Sequence, residues 1–147
     1  MPEPAIDVTV GCDVQDAAEV RQAIESFGRR YLSRILGVDE LAAAREQRTA
    51  DRLVRHVAGR FAAKEAVFKL LCIAPDTPMP WPEIQIVPDA GGTPHAHLSG
   101  TAAKRAAELG LQPISVSISH SDEAAFAVAV AIALPRVAQD SEPRKAR

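Results

Sequence analysis

Apolar and polar positions alternate at the start of the chain, where Ile6, Val8 and Val10 are interleaved with Asp7, Thr9 and Gly11. A period of two predicts a strand, which delivers Asp13 to its carboxyl end. The period then lengthens. Asp13 and Asp16, three positions apart, resemble an N-cap and an N3 acid, and Val20, Ile24 and Phe27 fall on one face of a helix that Gly28 ends. Tyr31, Leu32 and Ile35 predict a second helical piece ending at Gly37. Asp39 caps a third through residues 41–48, and Thr49 restarts the helix for the run to Cys72. Prolines at 75, 78, 80 and 82 exclude a helix over residues 74–82, because they lack amide donors and fix the backbone, so an ordered loop or lid is expected there.

Residues 84–87 predict a strand, 89–92 a turn and 95–98 a returning strand, which together make a hairpin. A short helix over 101–109 is stopped by Gly110 and Pro113. Beyond it, Ile114, Val116, Ile118 and His120 share one strand face and Ser115, Ser117 and Ser119 the other. Residues 121–123 turn the chain. In the last strand, Phe126, Val128, Val130 and Ile132 oppose an all-alanine face of Ala125, Ala127, Ala129 and Ala131, flat enough for a helix to pack closely. The order of elements predicts an α+β domain over residues 1–134, a small antiparallel sheet packed against a long helix. Residues 135–147 form a polar tail of mixed charge. No internal repeat is present.

Composition narrows the function. The chain has 147 residues, 47% of them hydrophobic, which suits one domain with a real core. A net charge of −2 leaves no basic excess to release counterions from a nucleic-acid backbone, so nucleic acid is not expected as a partner. The longest apolar run, residues 124–134, falls well short of the ~20 that a membrane span needs. Cys12 and Cys72 lack metal-ligand spacing, and the start of the chain has no signal-peptide pattern. A reducing, cytoplasmic setting is expected.

The stretch Arg60-Phe61-Ala62-Ala63-Lys64-Glu65-Ala66-Val67-Phe68-Lys69 carries the densest chemistry. Glu65 and Lys69 fall on one helical stripe, bordered by Phe61 and Cys72 on one side and by Ala62, Ala66 and Leu70 on the other. An ordinary i,i+4 pair sits on a polar face and contributes only ~0.2–0.5 kcal/mol. A pair among apolar neighbours would be partly desolvated unless it lines a pocket for something charged, such as a metal ion or a phosphate. Asp13, Glu65 and His120 are the three residues to bring together. Two of them have a plainer role available: an N-cap for Asp13, a turn residue for His120. His95 and His97 read as hairpin side chains rather than ligands.

Taken together, the motifs resemble the 4'-phosphopantetheinyl transferases of the short holo-acyl-carrier-protein synthase type. The resemblance rests on Gly11-Cys12-Asp13, on the stretch from Gly59 through Lys69, and on Ser117-Ile118-Ser119-His120, in the family's order and spacing. Gly92-Thr93-Pro94 and Leu98-Ser99-Gly100-Thr101-Ala102 resemble its hairpin return and following helix. The resemblance implies a phosphopantetheinyl-transferase-like fold and transfer of the 4'-phosphopantetheine arm of coenzyme A to a serine of an apo acyl carrier protein, with release of adenosine 3',5'-bisphosphate. It implies Asp13 and Glu65 as ligands of Mg2+, a hard cation suited to carboxylate oxygens. Lys69 and Arg60 would donate to phosphates, and His120 would contact those of coenzyme A. Asp13, Glu65 and Lys69 are the catalytic candidates. The seryl proton goes to a metal-bound water or to Glu65. The carrier is acidic, and Arg21, Arg29, Arg30 and Arg34 are candidates to receive it. A homotrimer with active sites between subunits is expected by the same resemblance.

The chain departs from the family after the motif helix, where Leu70-Leu71-Cys72-Ile73-Ala74-Pro75-Asp76 lacks the usual glycines. The proline-rich stretch with Trp81 would then shape the pantetheine channel or the choice of carrier. Two rivals remain. A hydrolase built on Ser119, His120 and Asp122 conflicts with strand alternation, which points Ser119 and His120 to opposite faces. A catalytically silent module binding coenzyme A or a carrier protein would have no need for two carboxylates and Lys69.

Overall fold

The structure, a computed structural model, describes residues 8–120 and 126–135. The chain runs β1 (Thr9–Asp16), α1 (Ala17–Phe27), α2 (Arg29–Ile35), α3 (Val38–Arg45), α4 (Ala50–Leu70), a 3-10 turn (Trp81–Glu83), β2 (Ile84–Pro88), β3 (Pro94–Leu98), α5 (Gly100–Leu109), β4 (Leu111–His120) and β5 (Phe126–Pro135). The strands form one antiparallel sheet in the order β1-β5-β4-β3-β2. The α+β architecture expected from the sequence is the one observed, with α4 laid across β1, β5 and β4.

Small residues allow that close approach. Gly59, Ala62, Ala63 and Ala66 of α4 are buried. A Cβ on Gly11 of β1 would run into the Ala66 carbonyl and lie 2.7 Å from Leu70 N, so only glycine fits there. Val54, Val57, Val67 and Leu70 of α4 join Leu36, Ile84, Ile86, Ile114 and Val116 in the core. On β4, Ile114 and Val116 are buried while Ser115, Ser117 and Ser119 are exposed, as their alternation predicts. The alanine face of β5 lies outside the described side chains. Its backbone pairing nonetheless sets positions 129 and 131 opposite Asp13 and Gly11.

Three expectations about local structure are corrected. Asp13 does not cap α1: β1 continues through Gln15 and Asp16, which pair with Ala127 and Phe126, and Asp16 is the N-cap, accepting from Ala18 N at 2.7 Å. Asp13 stays within the strand, free for other work. Helix α3 starts from Gly37 rather than Asp39, because Glu40 reaches back to accept from Gly37 N at 2.8 Å, and it ends at Arg45. The stretch 74–82 is not wholly irregular, since its last two residues open the 3-10 turn. Thr49 does restart the long helix, accepting from Arg52 N at 3.2 Å. Ile6, the turn at 121–123 and the tail beyond 135 lie outside the described residues.

Candidate active site

Strand β1 presents Gly11 and, two residues on, Asp13 to α4. The tight packing at Gly11 brings Asp13 against the turn of α4 that carries Glu65 and Lys69. Lys69 Nζ donates to Asp13 Oδ1 at 2.8 Å and to the Cys12 carbonyl at 3.1 Å. Gln15 Nε2 donates to Asp13 Oδ2 at 2.9 Å. Both oxygens of Asp13 are thus held, and its side chain is 10% exposed. Glu65 is half-buried beside it, and its carboxyl is raised above the usual range. Burial is the main cause, followed by the charge of Asp13 and a hydrogen bond with it; Lys69 opposes the shift. Two adjoining carboxylates that resist shared ionisation favour a bound cation or proton.

An aromatic flank borders Glu65 on its other side. Phe61 and Phe68, at i−4 and i+3 from Glu65, pack against Trp81 with ring centroids 5.2 and 5.6 Å away. The Tyr31 phenol is raised, by burial first and then by the charge of Glu65. Sequence reasoning missed Gln15 and Tyr31. Gln15 shares a strand face with Asp13, a signal that alternation could have supplied; Tyr31 had none, since the approach of α2 to α4 is tertiary.

Arg60 and His120 meet elsewhere. They line a cleft of about 600 Å3 together with Gln47, Arg52, Arg55, His56, Gly59 and Ile118. Among the described residues this lining carries arginines and no carboxylate, which suits an anion. Arg60 is lowered, by burial first, partly offset by the charge of Glu40. His56 is lowered to about 4, by burial first and then by the charge of Arg60, and its Nε2 is buried without a hydrogen-bond partner among the described residues. His56, Arg52 and Arg55 were not singled out from the sequence. The helical spacing of His56 to Arg52 and Arg60, four residues each way on α4, was the available signal.

The two groups of residues occupy opposite flanks of α4. Glu65 and His56 are separated by about 900° of helical rotation, which sets them on opposite sides. Register lines Asp13 up with Ala129 of β5 and, through it, with Ile118 of β4, two strand spacings or about 10 Å away. Asp13, Glu65 and Lys69 are therefore brought together as expected, while His120 joins Arg60 and not the carboxylates.

The sequence profile of the 4'-phosphopantetheinyl transferase superfamily matches residues 9–131. This chain belongs to that superfamily. The holo-acyl-carrier-protein synthase of Desulfovibrio desulfuricans is 35% identical over 127 residues, covering 86% of this chain and 98% of its own. The holo-ACP synthase of Plasmodium yoelii superposes with a TM-score of 0.77 at 27% identity, over 91% of this chain and all of that one. The Helicobacter pylori synthase, solved in complex with coenzyme A, gives 0.69 at 27% identity, over 84% and 98%. Among the described residues no helix is long and apolar enough to cross a membrane.

Proposed function

We propose that this protein is a holo-acyl-carrier-protein synthase, transferring the 4'-phosphopantetheine arm of coenzyme A to a serine of an acidic apo acyl carrier protein. The observation that carries this reading is the Asp13–Glu65 carboxylate pair with Lys69 beside it. Asp13 and Glu65 would hold Mg2+, and the raised Glu65 carboxyl argues for the fit, since a divalent ion relieves the mutual repulsion of the pair. When bound, the ion neutralises charge on the diphosphate. Lys69, partly exposed, is free to leave Asp13 and donate to a phosphate oxygen. The seryl oxygen attacks the β-phosphorus, and the bond to the leaving adenosine 3',5'-bisphosphate breaks. The seryl proton passes to Glu65 or to water beside it. Arg60, His120 and the rest of the cationic cleft would hold the phosphorylated nucleotide end of coenzyme A.

One coenzyme A molecule would have to pass around α4 to reach both flanks of a single chain. The reading therefore includes a partner copy: the carboxylate flank of one chain faces the cationic cleft of the next. Such an interface joins unlike patches, and where its rotation closes it builds a ring. With the resemblance to short family members, a homotrimer is the assembly proposed. Val10 and Val14, 60% and 56% exposed on the outer face of edge strand β1, are apolar surface that such an assembly would cover. Arg29, Arg30 and Arg34, together with Phe27, 63% exposed, suit an acidic carrier. Arg21 is less available, since it pairs with Asp51 at 2.7 Å. The cytoplasm is the setting proposed.

Intact-mass measurement of an apo carrier protein incubated with this protein, coenzyme A and magnesium tests the reading. A gain of one phosphopantetheine mass is expected, absent with Glu65→Ala and without magnesium. No gain across several carriers, with coenzyme A still bound, would instead support the silent binding module.

A further inference from the structure

Lys64 adjoins Glu65 in the sequence but serves a different side of the helix. Its side chain and that of Glu40 are fully buried. The Lys64 ammonium donates to Glu40 Oε2 at 2.7 Å, to the Trp81 carbonyl at 3.2 Å and to the Ile84 carbonyl. Glu40 in turn accepts from Gly37 N at 2.8 Å on Oε2 and from Ile86 N at 2.9 Å on Oε1. All three ammonium hydrogens and both carboxylate oxygens are engaged, as burial of a charged pair requires.

A buried pair of this kind adds little stability over apolar residues of similar volume. Its distinct contribution is geometric. One ammonium ties α4 to the backbone at both edges of the turn Trp81–Glu83, and so fixes where the Trp81 indole lies. That indole packs on Phe61 and Phe68, the two residues bracketing Glu65 on its stripe.

We infer that Lys64, neutralised by Glu40, is a positioning residue of the transferase site: it holds the Trp81 backbone so that the indole completes an aromatic wall with Phe61 and Phe68 along the Glu65 flank of α4. The inference rests on the transferase reading. The wall serves the transferred arm and not the nucleotide end, which has its own cationic cleft on the other flank. Loosening the wall should therefore lower kcat and leave the KM for coenzyme A nearly unchanged.

The double variant Lys64→Met/Glu40→Leu removes both charges together and leaves no unpaired buried ion. Trp81 is the chain's one tryptophan, so its emission reports the wall directly. In the double variant the emission should move to longer wavelength and become more open to acrylamide quenching, with kcat down roughly 10–100-fold. Trp81→Ala, which leaves the ion pair in place, should lower kcat to a similar degree, and should decide the matter if the double variant fails to fold. Unchanged emission, or wild-type kcat in a folded variant with shifted emission or in Trp81→Ala, would overturn the inference alone. A wild-type protein that transfers nothing would overturn the transferase reading and this inference with it.

Discussion

Lys69 is one helical turn from Glu65, yet its ammonium reaches across to β1 and lies 2.8 Å from Asp13 Oδ1. One cation thus compensates one carboxylate of the pair, while Glu65 keeps a raised proton affinity. Lys69 thus compensates the pair only in part, and keeping Glu65 ionised beside Asp13 costs the fold stability.

Magnesium binding should depend on pH through Glu65. A protonated carboxyl is a poor ligand, so apparent magnesium affinity rises as pH rises through the raised Glu65 titration. Calorimetric titration at several pH values checks this. Glu65→Gln should weaken magnesium binding, flatten its pH dependence and lower turnover by about 10²-fold or more. The same variant should melt at a higher temperature without metal at neutral pH. A carboxyl raised by folding gives stability that is present at low pH and lost as pH rises through its folded pKa, and the amide removes that loss. An unaltered melting temperature would mean that Glu65 and Asp13 do not burden the fold.

His56 carries the opposite linkage. Its pKa falls from 6.5 to about 4 on folding, chiefly through burial. Between those values the unfolded chain binds a proton that the folded chain refuses, so stability declines as pH falls through that window. Denaturant unfolding at intervals across it should show the decline, and His56→Gln should reduce the slope. A bound phosphate should raise the His56 pKa, which NMR of the imidazole would register on addition of adenosine 3',5'-bisphosphate.

Most of this site was legible where one element supplies the pattern. Glu65 and Lys69 stand out because four residues make a helical turn, and Gly11 belongs to the short motif that also carries Asp13. Asp13 was found, but for a mixed reason: the junction looked like a cap, and only the pairing of Gln15 and Asp16 with β5 reassigns that role to Asp16. The Lys64–Glu40 pair was not legible. Its partners lie 24 residues apart on different helices, and within the motif Lys64 looks like one more surface charge. The separation of His120 from the carboxylates was hidden for a related reason: sequence order does not reveal which flank of a helix a strand end reaches.

Cys72 adopts a φ of 50°, the left-handed region in which a side chain is strained, directly after the motif helix. The glycines missing from this stretch are thus missing where the backbone would favour one. Cys72→Gly should stabilise the protein by about 1 kcal/mol, since relief of strain outweighs the added freedom of the unfolded chain. Chemical denaturation measures it, and a destabilised variant would mean that the Cys72 side chain contributes more than its conformation costs.

The opposed flanks of α4 make the sharpest prediction about assembly. If each active site takes its carboxylates from one chain and its cationic cleft from the next, two dead variants can complement each other. Glu65→Gln keeps the cleft, and Arg60→Ala keeps the carboxylates. Each should be nearly inactive alone. Mixed in equal amounts, unfolded together and refolded, they form rings in which about a quarter of interfaces pair an intact carboxylate flank with an intact cleft. Activity should therefore recover to about a quarter of the wild-type level. Mixing without refolding should restore less if the ring exchanges slowly. No recovery after co-refolding, with the ring itself intact by light scattering, would mean that a single chain supplies the whole site and that coenzyme A passes around α4 after all.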